Sequence, residues 1–235
     1  KHKPLQVFNN ESSMNQSTKR PNARGHRSDG IETRSLIIEK AGALFAQYGF
    51  NAVASKEICQ AAGVTSAAVN YHFQSKEGLY QEVLTVAEQA ISASGSLEQL
   101  TRQDLTAKAA LSEYLYCRFY DAITNSGAWP HQLLLREAFM PSDVAEHFET
   151  SVVRPRFILL QQVMAAVLGR EPEDPKVQEA LLACVTLASP WSIKPSLLER
   201  LTPAIYQCSA EEQATRLTNF CLAGIDTYIN SSTRN

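Results

Sequence analysis

Apolar residues recur at helical spacing along nearly the whole chain, and no stretch alternates apolar and polar residues as a half-buried strand would. In residues 33–48, for example, Ile37, Leu44 and Phe45 fall on one stripe. Gly49 follows this stripe and can adopt the left-handed backbone conformation that often ends a helix. The pattern predicts an all-α fold whose first helix covers residues 33–48.

Two short helices joined by a tight turn are predicted next. Ser55 is expected to cap the first of them, and Gly63 supplies the backbone freedom that a sharp break between helices needs. Thr65 is expected to cap the second, because its hydroxyl oxygen can accept an otherwise unpaired backbone N–H. A helix-turn-helix has this layout when its second helix lies in a DNA groove.

The second of these helices, residues 66–72, is expected to present small or polar side chains to solvent. Its apolar residues Val69 and Phe73 are spaced to face inward. The residues left facing outward are Ser66, Ala67, Asn70 and Tyr71.

Proline residues and capping signals divide the rest of the chain into further predicted helices. Ser75 is expected to cap a fourth helix that runs from Lys76 into the low 90s, and the Ser, Gly and Thr content of residues 93–103 marks a connection between domains. The later predicted helices cover residues 105–125, a short segment from Pro130, and residues 142–150, 152–168, 175–188, 196–201 and 210–230.

Composition narrows the class of protein. Hydrophobic content of 44% and charged content of 20% are ordinary for a water-soluble globular chain, and no run of about 18 apolar residues predicts a membrane span. The five cysteines form no CxxC pair, which favours a reducing cytoplasm over a disulfide framework or a zinc site. They are Cys59, Cys117, Cys184, Cys208 and Cys221.

Charge is divided unevenly between the two ends of the chain. Residues 1–80 hold 10 Lys and Arg against 6 Asp and Glu, whereas residues 81–235 hold 12 against 18. A basic front end suggests a polyanionic partner, although chance clustering in a tail is the alternative. Residues 1–30 are predicted to form a disordered basic arm that follows phosphates or only aids solubility. Met14 is a candidate natural start, which would make residues 1–13 non-native.

Motifs of different chemistry fall at fixed spacing between residues 33 and 80. They are Thr33-Arg34, Ala43-Leu44-Phe45, Tyr48-Gly49-Phe50, Ile58, Ala62-Gly63-Val64, Tyr71-His72-Phe73 and Lys76-Glu77-Gly78-Leu79. This set closely resembles the DNA-binding domain of the TetR family of bacterial repressors, with one departure, Asn70, where many members carry Tyr. The resemblance implies a helix-turn-helix DNA-binding domain over residues 31–80, and a helical domain over residues 81–235 that binds a ligand and dimerises.

The resemblance also implies which residues meet DNA. Thr33, Tyr71, His72 and Lys76 match family positions that touch phosphates. For base edges, Asn70 is the strongest candidate, because an asparagine can pair with adenine through two hydrogen bonds. The alternative has Asn70 as an ordinary surface residue and Tyr71 as a core residue. The full predicted DNA-binding set is Thr33, Arg34, Lys56, Thr65, Ser66, Ala67, Asn70, Tyr71, His72 and Lys76.

The stretch 129–141 brings a Trp, a His, an Arg-Glu pair and a Phe close together. With Pro155 and Leu168-Gly169 it is similar to the C-terminal domain of a TetR subgroup related to the CerR/CecR-type repressors, which implies a small-molecule ligand among these helices. Most candidates are equally well explained as core, and Arg136-Glu137 as an internal ion pair. The candidates are Tyr116, Tyr120, Trp129, Leu133, Arg136, Phe139, Phe157, Met164 and Trp191.

Two late helices carry broad apolar stripes that could be buried within one protomer. The resemblance favours a dimer instead, because TetR-like proteins pair their last two long helices into a four-helix bundle. The predicted interface residues are Val177, Leu181, Cys184, Ala188, Leu217, Phe220, Cys221, Gly224, Ile225 and Tyr228.

No motif indicates catalysis: the five His are spread out, and no HExxH, glycine-rich phosphate loop or GxSxG occurs. Cys117, His131 and Glu137 could form a nucleophilic set only if the fold brought them together. No cofactor, metal or membrane partner is predicted. The predicted function is a cytoplasmic homodimeric repressor of a palindromic DNA operator, released by a small-molecule inducer. The alternatives are a DNA-binding dimer controlled by a partner protein, and an enzyme on the same helical fold.

Overall fold

The computed structural model describes residues 23–92, 100–192 and 196–231, and all regular structure within them is helical. This confirms the all-α prediction. The helices are α1 Ala23–Tyr48, α2 Ser55–Ala62, α3 Ser66–Phe73, α4 Lys76–Ser92, α5 Ala107–Thr124, α6 Trp129–Phe139, α7 Glu146–Leu168, α8 Pro175–Thr186, α9 Ser189–Ser192, α10 Ser196–Leu201 and α11 Ala210–Ser231.

Two predicted boundaries are corrected. Helix α1 begins at Ala23, so residues 23–30 are helical and not part of an irregular arm. Helix α7 is continuous where two helices were predicted, because a π-helical turn over Glu149–Val153 carries the chain through. Residues 1–22 of the predicted arm and residues 93–99 of the predicted connection lie outside the described residues.

Local capping explains the helix-turn-helix. Gly63 has a φ of +64°, and the Thr65 hydroxyl accepts the N–H of Ala68 at 3.3 Å, as predicted for both residues. The Ser75 hydroxyl likewise accepts the N–H of Gly78 at 3.1 Å. The prediction for Ser55 is wrong: it is the first residue of α2, and the Glu57 carboxylate accepts the N–H of the preceding Ala54 at 2.7 Å.

A first hydrophobic core, here called the head core, joins α1–α4 to α6 and the start of α7. The rings of Phe45 and Tyr80 meet edge to face with centroids 4.8 Å apart, and both are fully buried. Leu133 from α6 and Phe148 from α7 complete this core. Each such side chain contributes about 1.5–3 kcal/mol through burial. The head therefore includes a helix that follows α4 by more than 30 residues in the chain.

Helix α6 docks on α1 through a notch at Gly42. A Cβ atom at Gly42 would lie 2.6 Å from the Trp129 ring, so only glycine permits this close approach. The Trp129 indole N–H also donates to the Glu39 carboxylate at 2.8 Å. At the other end of the contact, the Arg136 guanidinium donates to the carbonyl oxygen of Tyr48 at 3.3 Å, where a cation suits the helix C-terminus.

Glu137 fixes α6 to α4. Its carboxylate accepts the hydroxyl of Tyr80 and the N–H of Ser142, the latter at 3.0 Å. Burial raises the pKa of the Tyr80 hydroxyl, and the Glu137 carboxylate raises it further, so this hydroxyl stays protonated as a donor. The predicted internal ion pair of Arg136 with Glu137 is therefore wrong, because each side chain bonds to a different helix of the head.

A second hydrophobic core, here called the body core, lies between α5, α7, α8 and α11. Phe119, Met164, Leu181 and Ile225 are among its fully buried side chains. The Asp174 carboxylate caps α8 by accepting the N–H of Lys176 at 2.8 Å. The body thus has its own packed interior, separate from that of the head.

Helix α7 is, among the described residues, the one long and apolar enough to cross a membrane by length and composition. Its Leu160, Met164 and Leu168 lie in the body core. The core helix of a water-soluble protein meets the same criteria, so this helix is weak evidence for a span.

Candidate nucleic-acid interface

Helix α3 presents one side to solvent and holds the other in the head core. Val69 and Phe73 are 4% and 5% exposed, whereas Asn70 is exposed and Tyr71 is 84% exposed. Ser66 and Ala67 are exposed on the same side. The alternative with Tyr71 in the core is therefore wrong, and the outward side of α3 is the one that its apolar spacing predicted.

The C-terminal end of α3 is held against the start of α4. Gln74 adopts a φ of +68°, which reverses the chain between the two helices. Gly78 is needed at the contact, because a Cβ atom there would overlap the carbonyl oxygen of Phe73. The N–H of Ser75 donates to that same carbonyl at 2.7 Å. These contacts give α3 a defined direction, which a helix must have to enter a groove.

Cationic side chains surround α3, and two of them rest on aromatic rings. The Lys76 ammonium lies 4.2 Å from the centroid of Phe50. The Arg34 guanidinium lies 5.3 Å from the centroid of Phe73 and forms an ion pair with Glu82 at 2.7 Å. Both cations are thus held against aromatic rings of the head, and the ring under Arg34 belongs to the last residue of α3.

The remaining predicted DNA residues all keep surface in contact with solvent. Lys56 and Thr65 are exposed, while Thr33 and His72 are half-buried. The His72 ring lies edge-on to Tyr71, with centroids 5.1 Å apart. The Thr65 oxygen is engaged as a cap, so only its proton is left to donate to a phosphate.

The start of α4 already carries an internal anion. Its own backbone N–H and the Ser75 hydroxyl hold the pKa of the Glu77 carboxyl below its usual value. The carboxylate therefore stays ionised at neutral pH. A phosphate that approaches this helix N-terminus must share its N–H groups with Glu77.

The structure separates most of the predicted ligand residues. Trp129 and Leu133 pack in the head core, and Met164 is fully buried in the body core. Phe139 and Phe157 are 67% and 39% exposed. None of these five residues lines the groove described below, and their part in ligand binding stays a prediction.

Three further candidates make contacts within the protomer. Arg136 bonds to α1, as described above. The Tyr120 hydroxyl lies 3.4 Å from the Glu211 carboxylate. Trp191 lies on α9, and its carbonyl oxygen accepts the N–H of Gly127 at 3.3 Å.

Tyr116, in contrast, lines an open groove of about 400 Å³ between α5 and α11, here called the α5–α11 groove. Every lining side chain carries a polar atom, but the surface that these residues expose to the groove is mostly apolar, as is usual for a small-molecule site. The lining residues are Ser112, Glu113, Tyr116, Cys117, Thr215, Thr218 and Asn219. Apolar periodicity could not indicate them, because most are polar.

A buried polar pair ties α5 to α6. His131 Nε2 lies 2.7 Å from Asp121 Oδ2, and the two residues are 6% and 3% exposed. The Asn125 amide donates to the other Asp121 oxygen at 2.8 Å, and the Arg118 guanidinium lies 3.8 Å away. A buried carboxylate with several partners resists displacement, because losing one would leave charge unsatisfied in the interior.

The predicted interface residues fall into two groups. Val177, Leu181, Cys184, Cys221 and Ile225 are at most 6% exposed and belong to the body core. These five side chains therefore have almost no surface to offer a partner, and the stripe that predicted them marks the inner sides of α8 and α11. Those that keep exposed surface are Ala188, Leu217, Phe220, Gly224 and Tyr228.

The three residues considered as a nucleophilic set are not brought together. Cys117 lines the α5–α11 groove, His131 bonds to Asp121, and Glu137 bonds to Tyr80. Each therefore serves a different contact.

Comparison with known proteins agrees with this arrangement. Residues 37–83, which contain the helix-turn-helix, match the bacterial regulatory proteins of the tetR family. Residues 115–225 match the C-terminal domain of the HTH-type transcriptional dual regulator CecR. The chain belongs to the TetR family. The first match falls within α1–α4, and the second runs from α5 to α11.

Individual TetR-family relatives match over different lengths. The CecR regulator of Shigella flexneri is 27% identical over 157 residues, which cover 63% of this chain and 70% of that protein. The AcrR regulator of Shigella flexneri is 38% identical over 76 residues, or 32% of this chain and 34% of the relative. The chain thus spans about a third of the length of AcrR, and more of CecR.

Solved TetR-family structures show the same fold over most of the chain. NalD, the secondary repressor of the MexAB-OprM multidrug efflux pump in Pseudomonas aeruginosa, is 22% identical, with a TM-score of 0.59 over 83% of this chain and 98% of its own. A tetR-family protein from Rhodococcus RHA1 is 19% identical, with a TM-score of 0.59 over 82% and 96%. At such identities the likeness establishes the fold alone.

Proposed function

We propose that this TetR-family regulator is a homodimeric repressor that binds a palindromic operator in the bacterial cytoplasm and is released by a small molecule. One observation carries the proposal: α3 is anchored by Val69 and Phe73, while Asn70 and Tyr71 on its opposite side are exposed. A recognition helix needs this division, because its inner side must fix the direction in which its outer side meets the groove.

Base reading is assigned to Asn70 and phosphate contact to the groups around it. Asn70 is exposed and lies next to Ala67 in the helical turn, so its amide and a bare methyl group are presented side by side. A two-point contact of Asn70 with adenine would discriminate by about 1–3 kcal/mol. Arg34, Lys56 and Lys76 supply positive charge around this contact.

The Asn70→Ala substitution tests this role. The variant protein should discriminate less well between the duplex selected by wild type and duplexes changed at one base pair per half-site. The loss should be about 1–3 kcal/mol, measured by competition titrations with single-base variants. The matched control is Gln103→Ala, which removes an exposed amide from the turn before α5. Equal weakening across all duplexes would show that Asn70 is only a surface residue.

The dimer is assigned to the outer sides of α8 and α11. Leu182 is 58% exposed and Phe220 is 70% exposed, although both are large apolar residues. On α11, Ala223 and Gly224 lie on the same outer side, and a Cβ atom at Gly224 would meet nothing within 4 Å. A large apolar residue beside small ones lets two helices pack closely, as a four-helix bundle between protomers requires.

Phe220→Asp tests this interface by placing a charge at its centre. Sedimentation velocity should show the variant shifting from dimer to monomer, because an unpaired charge is costly to bury. Met140→Asp is the matched control, since Met140 is 65% exposed outside α8 and α11. If the dimer persists in Phe220→Asp but dissociates in Met140→Asp, the interface lies outside the outer sides of α8 and α11.

The inducer is assigned to the α5–α11 groove. A contiguous set of contacts leads from this groove to the head: Tyr116 and Asp121 share α5, Asp121 binds His131 on α6, and α6 docks on α1 through Trp129. A ligand can act through this route only if it prefers the arrangement in which two heads no longer match their half-sites. The structure of AibR with isovaleryl coenzyme A and operator DNA supports the idea that this fold can hold both kinds of partner.

A ligand screen tests the assignment of the groove. Small amines, hydroxylated metabolites and acyl-coenzyme A thioesters are tested for a rise in melting temperature and then for release of the selected duplex. Tyr116→Ala should abolish both responses. Tyr120→Ala is the matched control, because Tyr120 stacks on Tyr116 with centroids 6.1 Å apart but is not among the residues that line the groove. Unchanged responses in Tyr116→Ala would place the ligand elsewhere.

A further inference from the structure

The ion pair of Arg34 with Glu82 lies beside the end of the recognition helix. Arg34 Nη2 is 2.7 Å from Glu82 Oε2, and the two side chains are 40% and 45% exposed. The Arg34 guanidinium also stacks over Phe73, the last residue of α3. Three helices therefore meet at this pair: α1 supplies the cation, α4 supplies the anion and α3 supplies the ring.

The exposure of this pair limits what it contributes to folding. Ion pairs with both partners in contact with water add little to stability, because solvent screens the attraction. The stacking on Phe73 can hold the guanidinium in place without the carboxylate. The charge of Glu82 is therefore not needed to keep the head folded, and another role fits it better.

Glu82 cancels the charge that Arg34 would bring to DNA. Binding to DNA of any sequence depends on the number of phosphates that cations neutralise, and a cation paired with a carboxylate counts for little. Arg34 has five N–H donors, of which Nη2 is bonded to Glu82. On an operator, base contacts of α3 fix the register of the head and so place one phosphate at a constant position for Arg34, whereas on a random duplex the head has no fixed register.

We propose that Glu82 is a specificity-determining residue that neutralises Arg34 and so suppresses binding to non-operator DNA. On an operator, Arg34 exchanges its carboxylate partner for a phosphate. On other sequences the ion pair of Arg34 with Glu82 stays intact. The head then offers the DNA one positive charge fewer than it offers an operator. This proposal rests on the proposed function, since it concerns how the head discriminates among duplexes.

Glu82→Gln separates the effect of the negative charge at this position from the effect of the hydrogen bond to Arg34. The amide oxygen of glutamine can still accept the hydrogen bond of Arg34, so only the negative charge is removed. The full-length protein is titrated with a random-sequence duplex between about 50 and 200 mM salt, and log affinity is plotted against log salt concentration. The slope should steepen by about 0.9 for each head that engages, so the ratio of affinities at the two salt concentrations rises about threefold per head.

Two further variants separate charge neutralisation from other effects. Arg34→Gln combined with Glu82→Gln should return the slope to the wild-type value, because neither charge remains. Glu149→Gln is the matched control: it removes a carboxylate from another exposed ion pair, with Arg154 at 2.8 Å on α7, and should leave the slope unchanged.

The outcomes are distinct. A steeper slope in Glu82→Gln that the double variant reverses supports the proposal. An unchanged slope, or weaker binding in Glu82→Gln, overturns it and would mean that Glu82 only holds Arg34 over Phe73. If the wild-type protein shows no salt-sensitive binding to any duplex, the proposed function fails as well, and the two failures are therefore distinguishable.

Discussion

The head and the body of this protein are built from the same kind of helix but differ in what their exposed surfaces can do. In the head, the polar outer side of α3 lies directly over the buried Val69 and Phe73, so surface and core form one rigid unit. In the body, Leu182 and Phe220 leave apolar surface uncovered on helices whose inner sides are fully packed. The exposed surface of the head is therefore polar, which suits a polyanion. The body exposes apolar side chains, which suits contact with another protein.

Helix α6 shows that this division does not follow the order of the chain. It comes after α5, which belongs to the body, yet Trp129, Leu133 and Glu137 contact the head. Its His131 reaches back to Asp121 in α5. Because one helix is shared, we expect the head and the body to be coupled through α6.

The largest effect is expected from removing one large ring from each core. Phe45→Ala in the head core and Phe119→Ala in the body core should each lower the free energy of unfolding by about 3–5 kcal/mol. If α6 joins the two cores, each variant should still unfold in a single transition in urea, monitored by far-UV circular dichroism. A biphasic curve for Phe45→Ala, with the body helices surviving, would show that the cores are independent.

A smaller effect is expected at the notch where α6 docks. Gly42→Ala should cost about 1–3 kcal/mol, because the new methyl group overlaps the Trp129 ring. Urea unfolding gives the free energy, and tryptophan fluorescence should show Trp129 becoming more exposed. Gly30→Ala is the matched control in the same helix: nothing lies within 4 Å of its Cβ position, so it should be neutral or add up to about 1 kcal/mol. Equal changes in the free energy of unfolding for the two variants would show that α6 does not pack against α1 at Gly42.

Helix caps allow the head and the body to be compared through two substitutions that should lower the free energy of unfolding by similar amounts. Thr65 caps α3 and Thr106 caps α5, with hydroxyl to N–H distances of 3.3 and 3.2 Å. Each alanine substitution should lower the free energy of unfolding by about 1 kcal/mol. Only Thr65→Ala should also weaken duplex binding in a fluorescence anisotropy titration, because under the proposed function α3 meets DNA and α5 does not. Equal losses of binding would mean that general stability, and not the orientation of α3, controls it.

The smallest effect is expected from acid. The N–H of Lys176 and the Arg170 guanidinium lower the pKa of the Asp174 carboxyl at the start of α8. A carboxyl whose pKa is lower in the folded state stabilises the protein above its unfolded pKa, and this stability is lost as the pH falls through the folded pKa. Asn can replace Asp as a cap, so Asp174→Asn removes mainly the charge.

Melting temperatures of Asp174→Asn and wild type should therefore differ slightly at neutral pH and converge as the pH falls through the lowered folded-state pKa of Asp174. Glu77→Gln should behave in the same way in the head, because the pKa of Glu77 is also lowered. A difference that grows in acid would contradict the direction of both pKa changes.

The parts of the fold that sequence could predict are those set by neighbouring residues. Gly63, Thr65 and Ser75 act on groups within a few positions, so the limits of α3 and α4 followed from them. Ser55 failed as a cap because the helix begins one residue earlier than expected, with Ala54 in the N-cap position and Ser55 as its first residue. The outward side of α3 followed from the spacing of Val69 and Phe73 alone.

The parts that could not be predicted depend on distant contacts. Trp129 bonds to Glu39 across 90 positions, and no local pattern indicates that α6 belongs to the head. The stripe through Val177, Leu181 and Cys184 shows which side of α8 is apolar, but the same stripe serves a core or a partner equally well. Of the residues that line the α5–α11 groove, only Tyr116 was a predicted ligand residue, because apolar and aromatic patterns do not mark the others.

The central claim is that the outer side of α3 reads DNA from two paired heads, and selection from a random pool of duplexes tests it most directly. The full-length protein should enrich an inverted repeat whose half-site centres lie about 10 base pairs apart or a multiple of this. Enrichment of sites without two-fold symmetry, or no enrichment above the starting pool, would contradict the account.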